Sequence, residues 1–190
     1  MAPDDVEDVV ALADRAIGLG YYDAPTVRDY VARGTTRAGT FAYVAREADD
    51  RALLGFRFSF PPGRWSAGRG AALHPERWGA PLESAAYFQS CFVDPAHMGR
   101  GIGRRLSHRA LDDLSRTEAR VVVAHSWKES PHGSSRRYLE RLGFRSVAEC
   151  PDYWIDVDYV CPRCGPTCRC TALEMVLTLQ DRSDGGSVSP

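Results

Sequence analysis

Val93-Asp94-Pro95-Ala96-His97-Met98-Gly99-Arg100-Gly101-Ile102-Gly103-Arg104-Arg105-Leu106 is the stretch that decides how this chain is read. An apolar run from Ser84 to Val93 stops at Asp94-Pro95, and Gly99, Gly101 and Gly103 then free the backbone from side-chain clashes. Leu106, Ala110 and Leu114 recur beyond them on one helical face. A strand that turns through glycines into a helix points several main-chain N–H groups outward at the helix N-terminus, where a pyrophosphate binds well. Arg100, Arg104 and Arg105 add positive charge at that place. The nucleotide fingerprints do not fit, because there is no G-x-G-x-x-G and no lysine–hydroxyl pair after the glycines, so by its residues the turn is either a pyrophosphate site or a tight turn that merely packs.

Upstream, Pro3-Asp4-Asp5 starts a helix in which Val6, Val9, Val10, Ala13 and Ile17 keep helical spacing until Gly18 and Gly20. A second short helix follows Pro25, with Val27, Tyr30 and Val31 inward, and ends at Gly34. Phe41 to Ala45 and Leu54 to Phe60 alternate as two strands of a hairpin turning at Asp49-Asp50. Residues 61–83 are broken by prolines and glycines and interrupted by Trp65 and Trp78, which reads either as a partly ordered lid over a binding site or as simple packing. Downstream come a strand over Arg120 to Ala124, a helix carrying Tyr138, Leu139 and Leu142 that closes at Gly143, and strands starting at Phe144 and at Ala172. This order predicts an α/β fold, a mixed and mostly antiparallel sheet flanked by helices. Residues 1–180 read as a single domain, and the polar Gly/Ser-rich stretch 181–190 as a disordered tail.

Phe92-Val93-Asp94-Pro95 followed by Gly99-Arg100-Gly101-Ile102-Gly103 resembles the acyl-CoA-binding motif of the GNAT N-acyltransferases, usually written Q/R-x-x-G-x-G/A. Tyr138-Leu139-Glu140-Arg141-Leu142-Gly143-Phe144 resembles that superfamily's second motif, a helix ending in L-G-F. The resemblance implies a GNAT-like fold, acetyl-CoA as cosubstrate, and transfer of its acetyl group to an amine on a small molecule or peptide. It implies that the backbone from Gly99 through Arg100, Gly101, Ile102 and Gly103 to Arg104 holds the pyrophosphate. Cys91, Phe92 and Val93 would pair through their backbone with the pantetheine arm, in a gap opposite Val123 to His125.

Four positions depart from the family pattern. Met98 stands where Gln or Arg is usual, and binding is expected to survive because main-chain N–H groups do most of it. Leu139 stands where many members carry the tyrosine that protonates the departing thiolate; Tyr138, one residue earlier, is turned by about 100° on a helix and is either that acid or a core residue. His132 falls on a frequent asparagine position and is either a contact for the cofactor or a solvated loop histidine. Tyr87 falls where some members carry a basic glutamate, so the base is open among Glu83, His125 and a water relay through Tyr87 or Gln89. Trp127 reads equally as a wall of the acceptor pocket or as core. A catalytically weakened acyl-CoA-binding or sensor module is the rival reading.

The most specific local signal is Cys161-Pro162-Arg163-Cys164-Gly165-Pro166-Thr167-Cys168-Arg169-Cys170. Cys-Pro-x-Cys-Gly shapes a knuckle whose N–H groups support thiolates, and four cysteines close a tetrahedral site of the structural kind. Zinc held by Cys161, Cys164, Cys168 and Cys170 is the expectation, with an iron–sulfur cluster or two disulfides as alternatives, in a knob inserted in the last hairpin. A role as an interaction protein docking through this knob is the further rival. Cys91 and Cys150 read as buried small hydrophobes.

Bulk properties narrow the rest. A net charge of −1 over 190 residues gives no basic field for nucleic acid. No stretch approaches the roughly 18 apolar residues that cross a bilayer. The acidic start, Met1-Ala2-Pro3-Asp4-Asp5, lacks the shape of a signal peptide, so a cytoplasmic location and reduced cysteines are expected. Oligomeric state is not readable.

Overall fold

A computed structural model of the chain describes residues 1–65 and 73–179, apart from the side chain of His132. The expected tail at 181–190 and the middle of the 61–83 loop lie outside the described residues.

Ten elements frame the site. They are α1 (Val6–Ala16), α2 (Ala24–Arg33), β1 (Ala42–Arg46), β2 (Leu53–Phe60), β3 (Ala85–Val93), α3 (Ile102–Leu114), β4 (Val121–Trp127), α4 (Ser134–Arg141), β5 (Arg145–Cys150) and β6 (Ala172–Thr178). The strands form one sheet in the order β1-β2-β3-β4-β6-β5. Only β3 and β4 run parallel, and every other neighbouring pair is antiparallel. The cysteine knob sits in the connection between β5 and β6, as the sequence predicts. Among the described residues, no helix is long and apolar enough to cross a membrane.

Local chemistry sets the helix boundaries. The Asp23 carboxylate caps α2 by accepting from the Thr26 N–H at 2.8 Å, and Pro25 occupies the first turn. Gly101 adopts φ +74° just ahead of α3, a left-handed conformation that suits glycine, and Gly99 does the same at +79°.

Both faces of the sheet are covered, which explains why all eight residues of β2 are buried. On one face Phe56, Phe58 and Phe60 pack with Val9 and Leu12 of α1 and with Tyr22, Val27 and Tyr30. On the other, Phe88 and Met175 pack with Ala110 and Leu114 of α3 and Leu139 of α4. Burying side chains of this size is worth about 1.5–3 kcal/mol each, and this is what holds the two helix layers to the sheet.

Candidate functional site

The site begins where the sheet comes apart. β3 and β4 pair from Ala85↔Val121 to Phe88↔Ala124 and then stop. Beyond that point β3 continues against β2, whereas β4 continues against β6. The β2–β3 register jumps from Phe58↔Ser90 to Ser59↔Phe88, so Gln89 is bulged out of the ladder at the point of separation. On the side facing β4, alternate main-chain N–H and C=O groups of residues 89–93 therefore lose their strand partner.

The glycine turn lies at the far end of the gap. The first N–H groups of α3, from Ile102 to Arg104, have no intrahelical acceptor and face outward at the positive end of the helix dipole. Gly101, Arg104, Arg105, His108 and Arg109 line a shallow depression beside it. Met98 is 64% exposed. Gly55 allows this end of α3 to sit close to the sheet, because a Cβ there would meet the Phe92 carbonyl at 2.9 Å and Ile102 Cγ2 at 3.3 Å. Cys91 and Val93 turn toward Ile102 and Leu106, and Phe92 turns toward the α1–α2 face.

Tyr138 and Leu139 divide the space that sequence left open. Leu139 enters the core. The Tyr138 hydroxyl turns to the first turns of α3, donating to the Gly103 carbonyl at 2.9 Å, and lies 3.7 Å from Cys91 Sγ. It also contacts Ser107 Oγ, which accepts from Arg57 Nε at 3.0 Å. Burial and the nearby Cys91 push the Tyr138 phenol above its ordinary pKa, so it keeps its proton. The Arg57 guanidinium, itself only 2% exposed, lies 3.5 Å from the centroid of the Phe88 ring.

At the other end of the gap lies a cavity of about 590 Å³ with an aromatic wall. Tyr21, Tyr30, Trp65, Tyr87, Tyr153 and Trp154 supply the rings, while Gln89 and His125 bring polar groups to it. Trp65 stacks on Tyr87 with centroids 4.7 Å apart and is fixed by its indole N–H to the Ala85 carbonyl at 2.7 Å. Trp78 is different, since it is 1% exposed and belongs to the core. The two tryptophans of the 61–83 segment therefore part, Trp65 lining the pocket and Trp78 packing in the core.

The candidate bases separate in the same way. Tyr87 Oη lies 2.9 Å from His125 Nδ1 and 3.4 Å from Tyr153 Oη. Burial and the Tyr153 hydroxyl hold the Tyr87 phenol well above its ordinary pKa. Glu83 is exposed on the 82–84 turn, away from the cavity lining. Trp127 packs with the cysteine knob and does not line the cavity. The His132 side chain lies outside the described residues.

Sequence reading missed one charged group, Glu174 on β6. It is fully buried and stands opposite His125 in the β4–β6 register. Its carboxylate accepts from the Trp78 indole at 2.7 Å and from the His74 main-chain N–H at 3.2 Å. Burial alone raises its pKa, but His125, Trp78 and the His74 N–H together outweigh that and hold it below 4.5. The signal available in sequence was a lone glutamate inside the apolar strand Ala172 to Leu177.

The four knob cysteines have their Sγ atoms within 4.8 Å of one another. Cys164 and Cys170 sulfurs are 3.5 Å apart, and Cys161 and Cys170 are 4.0 Å apart. These separations suit a tetrahedral ion, whose S···S edges are about 3.8 Å at a Zn–S distance of about 2.3 Å. Cys161 and Gly165 exchange two main-chain hydrogen bonds of 2.9 Å, which makes the knuckle. Burial raises the Cys161 thiol, but N–H groups of Cys164 and Arg163 overcome this and bring it down to about 7. All six cysteines are free.

Residues 22–144 match the family described as "Acetyltransferase (GNAT) family". An L-methionine sulfoximine/L-methionine sulfone acetyltransferase of Salmonella typhimurium is 35% identical over 77 residues, which are 37% of this chain and 44% of that protein. The match therefore spans less than half the length of that relative. Among solved structures, Ard1 of Thermoplasma volcanium superposes with a TM-score of 0.68 at 18% identity, covering 95% of both chains. The yncA protein of Salmonella typhimurium, solved with its cofactor acetyl-CoA, gives 0.64 at 19% identity, covering 98% of this chain and 95% of its own.

Proposed function

Since the chain belongs to the acetyltransferase (GNAT) family, we propose that it moves the acetyl group of acetyl-CoA directly to the amine of an acceptor seated in the aromatic cavity. The observation that carries this reading is the end of β3–β4 pairing at Phe88/Ala124, with the N-terminus of α3 on one side and a walled cavity on the other.

Acetyl-CoA supplies an acyl carbon already bonded to a good leaving group. The chain's part is to bind, orient and move protons. The Gly99–Arg104 backbone receives the pyrophosphate, and the main-chain groups of Cys91, Phe92 and Val93 that face away from β2 receive the pantetheine amides. The bulge at Gln89 supports a main-chain N–H for polarising the acyl oxygen. Tyr87 takes a proton from the acceptor's ammonium as it passes its own to His125 Nδ1, so the phenol stays neutral throughout, in keeping with its raised pKa. Tyr138, protonated and turned to the α3 end of the gap, gives its proton to the departing sulfur and is reprotonated by the second proton that the attacking nitrogen sheds as the amide forms, while His125 returns the first to solvent.

The knob reads as a closed zinc site in which Cys161, Cys164, Cys168 and Cys170 hold the metal and leave no position for a substrate. Reduced thiolates of this kind suit a reducing, cytoplasmic compartment. The acceptor is an amine on a small molecule or a peptide. L-methionine sulfone is the first to try, because a protein matching 77 residues of this chain acts on it by name.

Calorimetric titration with acetyl-CoA, followed by thiol release with L-methionine sulfone and a panel of peptides, tests the proposal. Micromolar binding and amine-dependent release of CoA are expected. Absence of binding would overturn it.

A further inference from the structure

Glu174 has the placement of a catalytic triad's third member, and nothing in the reaction above uses it. His125 has only 2% of its side chain exposed and offers two nitrogens. Nδ1 meets the Tyr87 hydroxyl at 2.9 Å. Nε2 is buried and makes no good hydrogen bond to any group among the described residues; the atom facing it is Glu174 Oε2, 3.5 Å away. A line of polar atoms thus runs from the carboxylate through the imidazole and the phenol to the cavity.

We infer that Glu174 is a positioning residue whose carboxylate keeps the proton of His125 on Nε2, leaving the Nδ1 lone pair to accept from Tyr87. This inference rests on the reading of Tyr87 and His125 as the proton relay. The physical reason is that a carboxylate accepts hydrogen bonds and cannot donate them when ionised. Facing it, the neutral imidazole is stable only with its N–H on that side. The other tautomer buries an unprotonated nitrogen against a negative charge, and puts the proton where Tyr87 needs an acceptor. The same logic fixes the imidazole in serine-protease triads.

The surroundings support this over the alternatives. The groups facing His125 are Tyr87 from β3, Tyr153 from the segment after β5, and Glu174 from β6. Those facing Glu174 also include His74, whose Nδ1 is 3.4 Å from Oε2, and Cys150 on β5. His74, Cys150 and Glu174 lie close enough for a metal, with ligand atoms within 4.8 Å of one another. Trp78 and the His74 main-chain N–H already donate to this carboxylate, so hydrogen bonding describes it better.

Glu174→Gln makes a sharp test, because Trp78 fixes which way the amide must turn. The Trp78 indole and the His74 N–H still need an acceptor, so the amide oxygen stays with them and the NH2 group turns to His125 Nε2. The proton should then leave Nε2 for Nδ1. The readout is 15N–1H correlation NMR of histidine-labelled protein at about pH 8.5, where an ordinary imidazole is neutral. His125 is assigned by the signal lost in His125→Gln, and the Trp78 indole resonance reports the fold.

The expected result is a protonated Nε2 in the wild type and exchange of the two nitrogens' characteristic shifts in Glu174→Gln. A wild-type proton on Nδ1, or an unchanged pattern in a folded Glu174→Gln, would overturn the inference. The wild-type tautomer decides the matter alone if the variant fails to fold. Acetyl transfer that survives Tyr87→Phe undiminished would instead sink the relay and leave the tautomer result standing.

Discussion

The ring of Tyr153 lies on the imidazole of His125, with centroids 4.4 Å apart and planes 20° from parallel. The main-chain N–H of the same tyrosine donates to the Cys170 carbonyl at 3.1 Å. One residue therefore ties the cysteine knob to the proposed relay. Tyr21 extends the link, since its ring meets Tyr159 at 5.0 Å and lines the cavity.

Removing the metal proposed for the knob should consequently disturb the acceptor side more than the cofactor side. Cys164→Ser, or chelation of the wild type, should lower the melting temperature by roughly 5–10 °C, as expected for the loss of a few kcal/mol in a domain of this size. The acceptor KM should rise while acetyl-CoA affinity changes little. Elemental analysis beside the melting curve checks this, and an unaltered curve after metal loss would argue against a structural ion.

At the glycine turn, Gly101→Glu places a negative side chain at the proposed pyrophosphate site, and should abolish binding of acetyl-CoA by calorimetry. Gly101→Ala separates charge from strain. The φ of +74° makes any side chain costly there, by about 1–3 kcal/mol, yet binding should remain measurable. Equal losses in both variants would point to a misfolded turn instead.

Tyr87→Phe should reduce kcat by about 10²–10⁴, the usual scale for a positioned general base, with acetyl-CoA binding intact. The Tyr87 phenol is held well above its ordinary pKa, so its own ionisation should not appear in the pH–rate profile between pH 6 and about 10.

For the α4 pair the expectations differ in kind. Tyr138→Phe should slow turnover without lowering stability much, because the ring remains and only the hydroxyl contacts to Gly103 and Ser107 are lost. Leu139→Ala should cost about 2–5 kcal/mol in urea unfolding, since Leu139 is in the core. The reverse pattern would place Tyr138 in a structural role.

Acid stability should carry the mark of Glu174. Its folded pKa is depressed, so its contribution is present above the unfolded value and is lost as pH falls through the folded one. Wild-type stability should fall as pH drops below the ordinary glutamate range, and Glu174→Gln should flatten that limb while lowering stability at neutral pH. Urea unfolding from pH 3 to about 7 measures both, and parallel curves would contradict the assignment.

Much of this architecture could be read directly from residue order. Gly99, Gly101 and Gly103 announce a tight turn, and the strand and helix periods on either side of it make that turn a strand–helix junction. The knob is equally local, since its four clustered cysteines all fall between Cys161 and Cys170. What depends on tertiary register was not legible. β4 runs on through Trp127 because β6 pairs with it that far, and sequence alone ended it at Ala124. Rotation about α4 separated Tyr138 from Leu139 but left open whether Tyr138 faced the core, and its partners on α3 required the packing. Glu174 showed only as a lone glutamate in an apolar strand, because its meaning comes from lying opposite His125, across an insertion that separates them in the chain.

The position of β6 has a consequence for how the molecule is made. This strand comes after every other described element, yet it lies between β4 and β5 and not at the margin of the sheet. While the chain is being synthesised, the apolar edge Val121–Ala124 stays open on the side that β6 will fill, although the glycine turn before it is already complete. An unpaired strand edge of this kind recruits other chains. Nascent protein stalled before Ala172 should therefore depend on chaperones for its solubility, and release from them should coincide with the closing of the knob.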